Sequence, residues 1–270
     1  MMRPTLTPPT DTTIAFYHPS TNSVAGHELG SSPDDSPRWT EIHELVDKRN
    51  SVRKASTAAG AGLLAMSVLS AFGYLLAVKG VVAPANAART STNLAGHERL
   101  FGFGILSLYV VAALDVVVAC ALYRVFKPVS AGLSRLAAGL RIAYAAVFIV
   151  AISQLVEALR VHTQALRHIN SFTNIWDAGL VLFGLNLFVL AYMAYRLVYV
   201  PRVLAVLLAI VGFGYIFDTV SRALVRGSSS DVSAITGMGE FVFALWLVIR
   251  GHRIALDDSG SRVDSMGEAP

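Results

Sequence analysis

The sequence predicts an all-α integral membrane protein, a bundle of six transmembrane helices with a disordered N-terminal tail. Three observations carry that prediction. Of 270 residues, 54% are hydrophobic and only 15% are charged, against about 25% charged in an ordinary soluble domain. The charge is segregated, lying mostly near the N-terminus, in connecting segments and at the chain end. From residue 56 onward come six apolar stretches, close to the roughly 17–25 residues that cross a ~30 Å hydrocarbon core.

Residues 1–36 are rich in Pro, Ser, Thr, Asp and Gly without sustained periodicity. Such a segment cannot bury enough apolar surface to offset its ordering entropy, so it is predicted to be disordered. It has no apolar core of the kind that follows a signal-peptide n-region, so the first span is expected to act as the insertion signal. Ser36 and Pro37 read as a helix cap and first turn. Trp39, Ile42, Leu45, Val46 and Arg49 follow at helical spacing. This is either a surface-lying amphipathic helix or a solvated lead-in to the first span.

The spans are predicted at 56–78, 100–123, 136–159, 175–198, 203–224 and 235–250. The domain plan is a cytoplasmic N-terminal segment over 1–55, a transmembrane domain over 56–251 and a cytoplasmic tail over 252–270. Between the fourth and fifth spans only Tyr199-Val200-Pro201-Arg202 remains, which predicts a tight antiparallel hairpin. The sixth span is the shortest and starts beside Gly237 and Gly239. Tyr123-Arg124 with Pro128, and Tyr195-Arg196 with Pro201, close spans two and four alike. These are read as ordinary interface anchors rather than as the mark of a repeat.

Orientation follows from Lys and Arg. One side of the spans carries Lys48, Arg49, Arg53, Lys54, Arg124, Lys127, Arg135, Arg196, Arg202, Arg250, Arg253 and Arg262. The other carries Lys79, Arg89, Arg99, Arg160, Arg167, Arg222 and Arg226. Both termini are therefore predicted to be cytoplasmic, with the protein in the cell membrane and the lipid bilayer as its partner. The net charge of +4 is accounted for by these flanking residues, which leaves no argument for nucleic acid.

Ionisable groups inside a span are expensive, at least ~2.5–3.5 kcal/mol at the centre, and are functional suspects by default. Asp115, Arg141, Asp218, Arg222 and Glu240 form the intramembrane set. At 1.5 Å per residue, Asp115 lies about 22 Å along span two, and Arg141 about 7 Å into antiparallel span three. Their depths match, which predicts a buried ion pair. Asp218 and Arg222, spaced i,i+4, share a helix face. A second set, Glu157, Asp177, His97, His162 and His168, gathers toward the outer face as a candidate polar cluster, with Glu98 nearby and Glu240 as a possible third acid beside Glu157 and Asp177.

No metal and no cofactor is predicted. His162 and His168 are six apart, a spacing that suits no ligand pair on one helix. No His lies within a span to ligate haem, and lone Cys120 offers neither a disulfide nor a thiolate site. HExxH, GxSxG and phosphate-binding glycine loops are absent from the sequence, so no catalytic residues are assigned. Gly102/Gly104 and Gly212/Gly214 read as close helix contacts. Trp176, Trp246, Tyr192, Tyr195, Tyr199 and Tyr215 read as an aromatic belt.

Several stretches, taken in order, resemble one family. They are Asp115-Val116 with Leu122-Tyr123 and Lys127-Pro128-Val129; the run Gly179 to Gly184 with Tyr195-Arg196; Val200 to Leu204 with Gly212 to Asp218; and Gly239-Glu240 with Leu245-Trp246-Leu247 and Arg250-Gly251. Together residues 56–251 resemble the DUF4386 membrane proteins of bacteria. The polar segment before them is longer than the family pattern, and Asn174 and Trp176 depart from it. The resemblance implies the architecture and marks Asp115, Arg141, Pro201, Arg202, Asp218 and Glu240. It implies no activity.

Three functions stay open on the sequence. One is small-solute or ion binding and transport through the intramembrane acids. Another is a non-catalytic membrane sensor or scaffold. The third, a membrane-embedded enzyme, lacks a nucleophile and base that can be named.

Overall fold

A computed structural model describes residues 36–197, 200–224 and 232–250. The tail predicted to be disordered and the predicted cytoplasmic tail at 252–270 lie outside these residues. The chain divides into two units, Met1–Glu41 and Ile42–Pro270. Of the first, the described part is the beginning of helix α1.

Every element is helical, and no strand occurs among the described residues. The helix α1 runs Ser36–Ser70, so the amphipathic stretch and the first span are one element rather than two. No Gly or Pro interrupts residues 38–59, and nothing there breaks the backbone ladder. Ala55, Ala59, Leu63 and Met66 are buried at helical spacing and define its inner stripe. The span then continues as a π-helical segment, Ala71–Val78, and ends in α2, Lys79–Val81. The widened turn lies against the neighbouring helix, where Gly73 and Ala77 meet Gly104. Ser107 donates to Gly104 O at 2.7 Å and also reaches Leu69 O at 3.4 Å.

The connection that follows contains a helix the apolar pattern did not announce, α3 at Ala87–Gly96. Asn86 caps it, its Oδ1 accepting from Arg89 N at 2.8 Å. The long helices come next: α4 Glu98–Phe126, α5 Ala131–Arg160, α6 Ala165–Arg196, α7 Arg202–Leu224 and α8 Val232–Arg250. Ser130 caps α5, two residues after Pro128. A 3₁₀ turn at His162–Gln164 leads into α6. That helix starts ten residues before the predicted span at 175 because Ala165, Ile169 and Phe172 already form a buried face.

Among the described residues, five helices are long and apolar enough to cross a membrane: Asn50–Val81, Glu98–Phe126, Ala131–Arg160, His162–Arg196 and Arg202–Arg222. Six were expected. The sixth stretch lies in α8, which is helical but is not among these five. Large apolar side chains cover the outer surface, Phe103, Ile210 and Phe213 among them. That is the surface of a chain in a lipid environment.

Consecutive long helices pack on one another, α4 on α5, α5 on α6, α6 on α7 and α7 on α8. The first span touches both ends of this series. Its π-helical segment packs on α4, and Ser56 Oγ donates to Leu247 O of α8 at 3.2 Å. A Cβ on Gly60 would fall 2.9 Å from Ala244 O, so α1 and α8 approach closely here.

Candidate functional site

The interior polar groups lie in a layer that crosses five helices. Arg141 on α5 sets its Nη2 2.8 Å from Asp115 Oδ1 on α4. The two side chains are 2% and 1% exposed. This is an ion pair without the alignment of a hydrogen bond, and both Asp115 oxygens and Arg141 Nε lack an aligned partner. The guanidinium also stands over the ring of Phe183 on α6, 5.1 Å from its centroid. Phe183 meets Tyr215 on α7 edge-on at 5.7 Å. Tyr215 donates its hydroxyl to Glu240 Oε1 on α8 at 2.8 Å.

Depth explains why these five meet. At 1.5 Å per residue, each lies about 15–20 Å from the helix ends at Phe126, Ala131, Arg196, Arg202 or Arg250. Neighbouring antiparallel helices thus bring them to one level. Asn186, one turn below Phe183 on α6, is 1% exposed and its Nδ2 has no hydrogen-bond partner. A cavity of about 10 Å³ adjoins it, lined by Arg141, Asn186 and Ser134 among apolar neighbours including Met193.

A second group lies nearer the Leu224 end of α7. Arg222 Nη1 donates to Asp177 Oδ2 at 2.6 Å, and Nη2 donates to Asp218. One arginine on α7 thereby serves an acid on its own helix and one on α6. Thr219 Oγ1 strengthens the same crossing, 2.9 Å from Asp177 O. An aromatic block also packs inside the bundle. Trp176 Nε1 donates to Tyr144 OH at 2.9 Å, and the Trp176 ring meets Tyr74, Phe148 and Phe172 at 4.8–5.6 Å.

The outer-face set does not converge. Asp177 is taken up by Arg222, and Glu240 by Tyr215. Glu157 pairs with Arg160 at 3.2 Å on the exposed side of α5. His162 Nε2 lies 3.4 Å from Glu98 Oε1. His168 Nδ1 lies 3.3 Å from Gln154 Oε1, and His97 Nδ1 2.9 Å from Asn93 O. Each histidine thus meets a different local partner. Among the described residues, no three His, Cys, Asp or Glu side chains are grouped as a metal would need.

Two residues read as belt anchors belong to the interior instead. Trp176 and Tyr215 face the bundle, where their polar atoms find Tyr144 and Glu240. Trp246 is partly buried, and its Nε1 has no partner. Phe183, Tyr144 and Asn186 belong to the interior as well, although they are not among the residues predicted for the site. Asn186 left a signal, a lone amide in the run Leu180–Leu190. Phe183 and Tyr144 left none, because an aromatic residue in an apolar span says nothing of what its face meets. Of the glycines, Gly104 packs closely, whereas a Cβ on Gly102 would meet nothing within 4 Å.

The family described as "Domain of unknown function (DUF4386)" matches residues 58–251. An "Uncharacterized protein" of Archaeoglobus fulgidus is 35% identical over 153 residues, which cover 57% of this chain and 86% of that protein. No solved structure matches the chain.

Proposed function

This chain belongs to the DUF4386 family, and from that premise we propose that it is a multi-pass membrane protein that binds a proton at Glu240. The observation that carries this reading is a charge imbalance. Among the described residues, four acids, Asp115, Asp177, Asp218 and Glu240, stand against two arginines, Arg141 and Arg222, in these interior groups. Both arginines are engaged by aspartates, while the contact made by Glu240 is the neutral phenol of Tyr215. A carboxylate with no ion pair of its own among the described residues is costly at that depth, and a proton removes the charge. A metal ion suits the site less, since hard cations take several oxygen ligands and the pair supplies one carboxyl and one phenol.

In this reading α8 is the sixth span, and both termini face the cytoplasm of a cell whose plasma membrane holds the bundle. Support for that orientation is the excess of Lys and Arg beside the connections at 124–135 and 196–202. Transport of an organic solute gains no support from the cavity beside Arg141, which at about 10 Å³ admits little more than a water. The second reading, a non-catalytic sensor or scaffold, draws on the two arginine-centred groups, which clasp helices together without leaving a path.

The test is an infrared titration of the full chain in lipid vesicles, followed at the carboxyl stretch. We expect a titrating carboxyl band that is missing in Glu240→Gln and displaced in Tyr215→Phe, with both variants folded. A band unchanged in folded Glu240→Gln removes the proton site and leaves the scaffold reading.

A further inference from the structure

The cavity beside Arg141 has a composition that selects its occupant. It lies between α4, α5 and α6, where Ala119, Leu122, Ala137, Leu190 and Met193 also line it. Two of its lining side chains, Arg141 and Asn186, are 2% and 1% exposed, and each keeps an N–H group without a hydrogen-bond partner, Nε and Nδ2. A third, Ser134, is also buried; its hydroxyl donates to Tyr123 O at 2.9 Å, which leaves the oxygen's lone pairs as acceptors.

A buried donor with no partner costs about 1–3 kcal/mol, and two residues that line this one small space each carry such a donor. A water molecule needs about 10–15 Å³ and two to four polar partners. The cavity has about 10 Å³, and the three side chains offer two donors and one acceptor. We infer that this cavity is a binding site for one water molecule, held by Arg141 Nε, the Asn186 amide and Ser134 Oγ. Turning the Asn186 amide by half a rotation changes which way that bond runs and leaves the site intact. An organic ligand does not fit the volume.

The water completes the solvation of the ion pair. Asp115 holds one end of the guanidinium, Phe183 covers its face, and the water meets the Nε that the protein leaves unpaired. It ties α6 to α5 at a level where no direct hydrogen bond is made by Asn186 Nδ2. The site does not depend on proton binding at Glu240.

Met193 supplies the readout. It lines the cavity at 0% exposure, so bulk solvent does not reach it. A hydroxyl radical formed by X-rays from a water bound there would oxidise it. Met66, buried at 8% on α1 and not part of the cavity lining, is the internal control. In the full chain in lipid nanodiscs, we expect brief X-ray exposure to oxidise Met193 in preference to Met66. Asn186→Leu, which removes a donor at nearly constant size, should abolish that preference. Ala138→Val narrows the same cavity without touching a polar group and should do likewise; it keeps the test decisive if Asn186→Leu fails to fold. Met193 oxidation no greater than that of Met66 in the unaltered chain overturns the site. So does a preference that survives in the folded variants.

Discussion

Gly184 on α6 and Gly212 on α7 touch backbone to backbone: a Cβ on the first would lie 2.7 Å from Gly212 O, and one on the second 2.8 Å from Gly184 O. Neither carbonyl can move without its helix, so a methyl group at either position forces the helices apart. Gly184→Ala and Gly212→Ala should each destabilise the bundle by about 1–3 kcal/mol, the range of overpacking. Gly102→Ala is the control, since it meets nothing within 4 Å. Thermal unfolding in micelles distinguishes them, and equal midpoints for all three would refute the contact.

The Asp115–Arg141 pair invites a double-mutant cycle. Removing one partner strands a buried charge, so Asp115→Leu or Arg141→Met should each cost about 3–5 kcal/mol. Replacing both, Asp115→Leu with Arg141→Met, should recover much of that loss because no charge remains. Additive losses would mean that the two groups do not act as a pair.

Arg222 should matter more than either acid it serves. Arg222→Gln removes the cation that bridges Asp177 and Asp218, whereas Asp177→Asn keeps the Arg222–Asp218 contact. A charged hydrogen bond contributes about 1.5–3 kcal/mol when made, reduced here because Arg222 is partly exposed. The expected order of melting points is unaltered chain, then Asp177→Asn, then Arg222→Gln. An inverted order of the two variants counts against the bridging role.

Tyr144→Phe deletes the acceptor of the Trp176 indole N–H. An unpaired buried donor costs about 1–3 kcal/mol. If the hydrogen bond is what Tyr144 contributes, Trp176→Phe should make the Tyr144→Phe change nearly silent. Denaturation of the two single variants and the double variant measures this, and full additivity would exclude the bond.

What the sequence determines by itself is whatever lipid enforces along a single helix. Length and apolarity mark the spans because a backbone in hydrocarbon must satisfy its own hydrogen bonds. Depth along a helix follows from residue count, so Asp115 and Arg141 could be set at one level from sequence, and the i,i+4 spacing placed Asp218 beside Arg222. The boundaries were less legible. Polar residues such as Arg167 and His168 extend α6 past its apolar stretch, and α3 owes its start to the Asn86 cap rather than to hydrophobicity.

Tertiary structure decided the partners across helices. Rotation about each helix axis, which residue counts do not supply, turned Asp177 toward Arg222 and Glu240 toward Tyr215, and scattered the three histidines among separate partners. It also turned Trp176 and Tyr215 inward. Side chains as unlike as Arg141 and Phe183 meet only because α5 and α6 face each other there, and that facing is a property of packed surfaces, not of either helix alone.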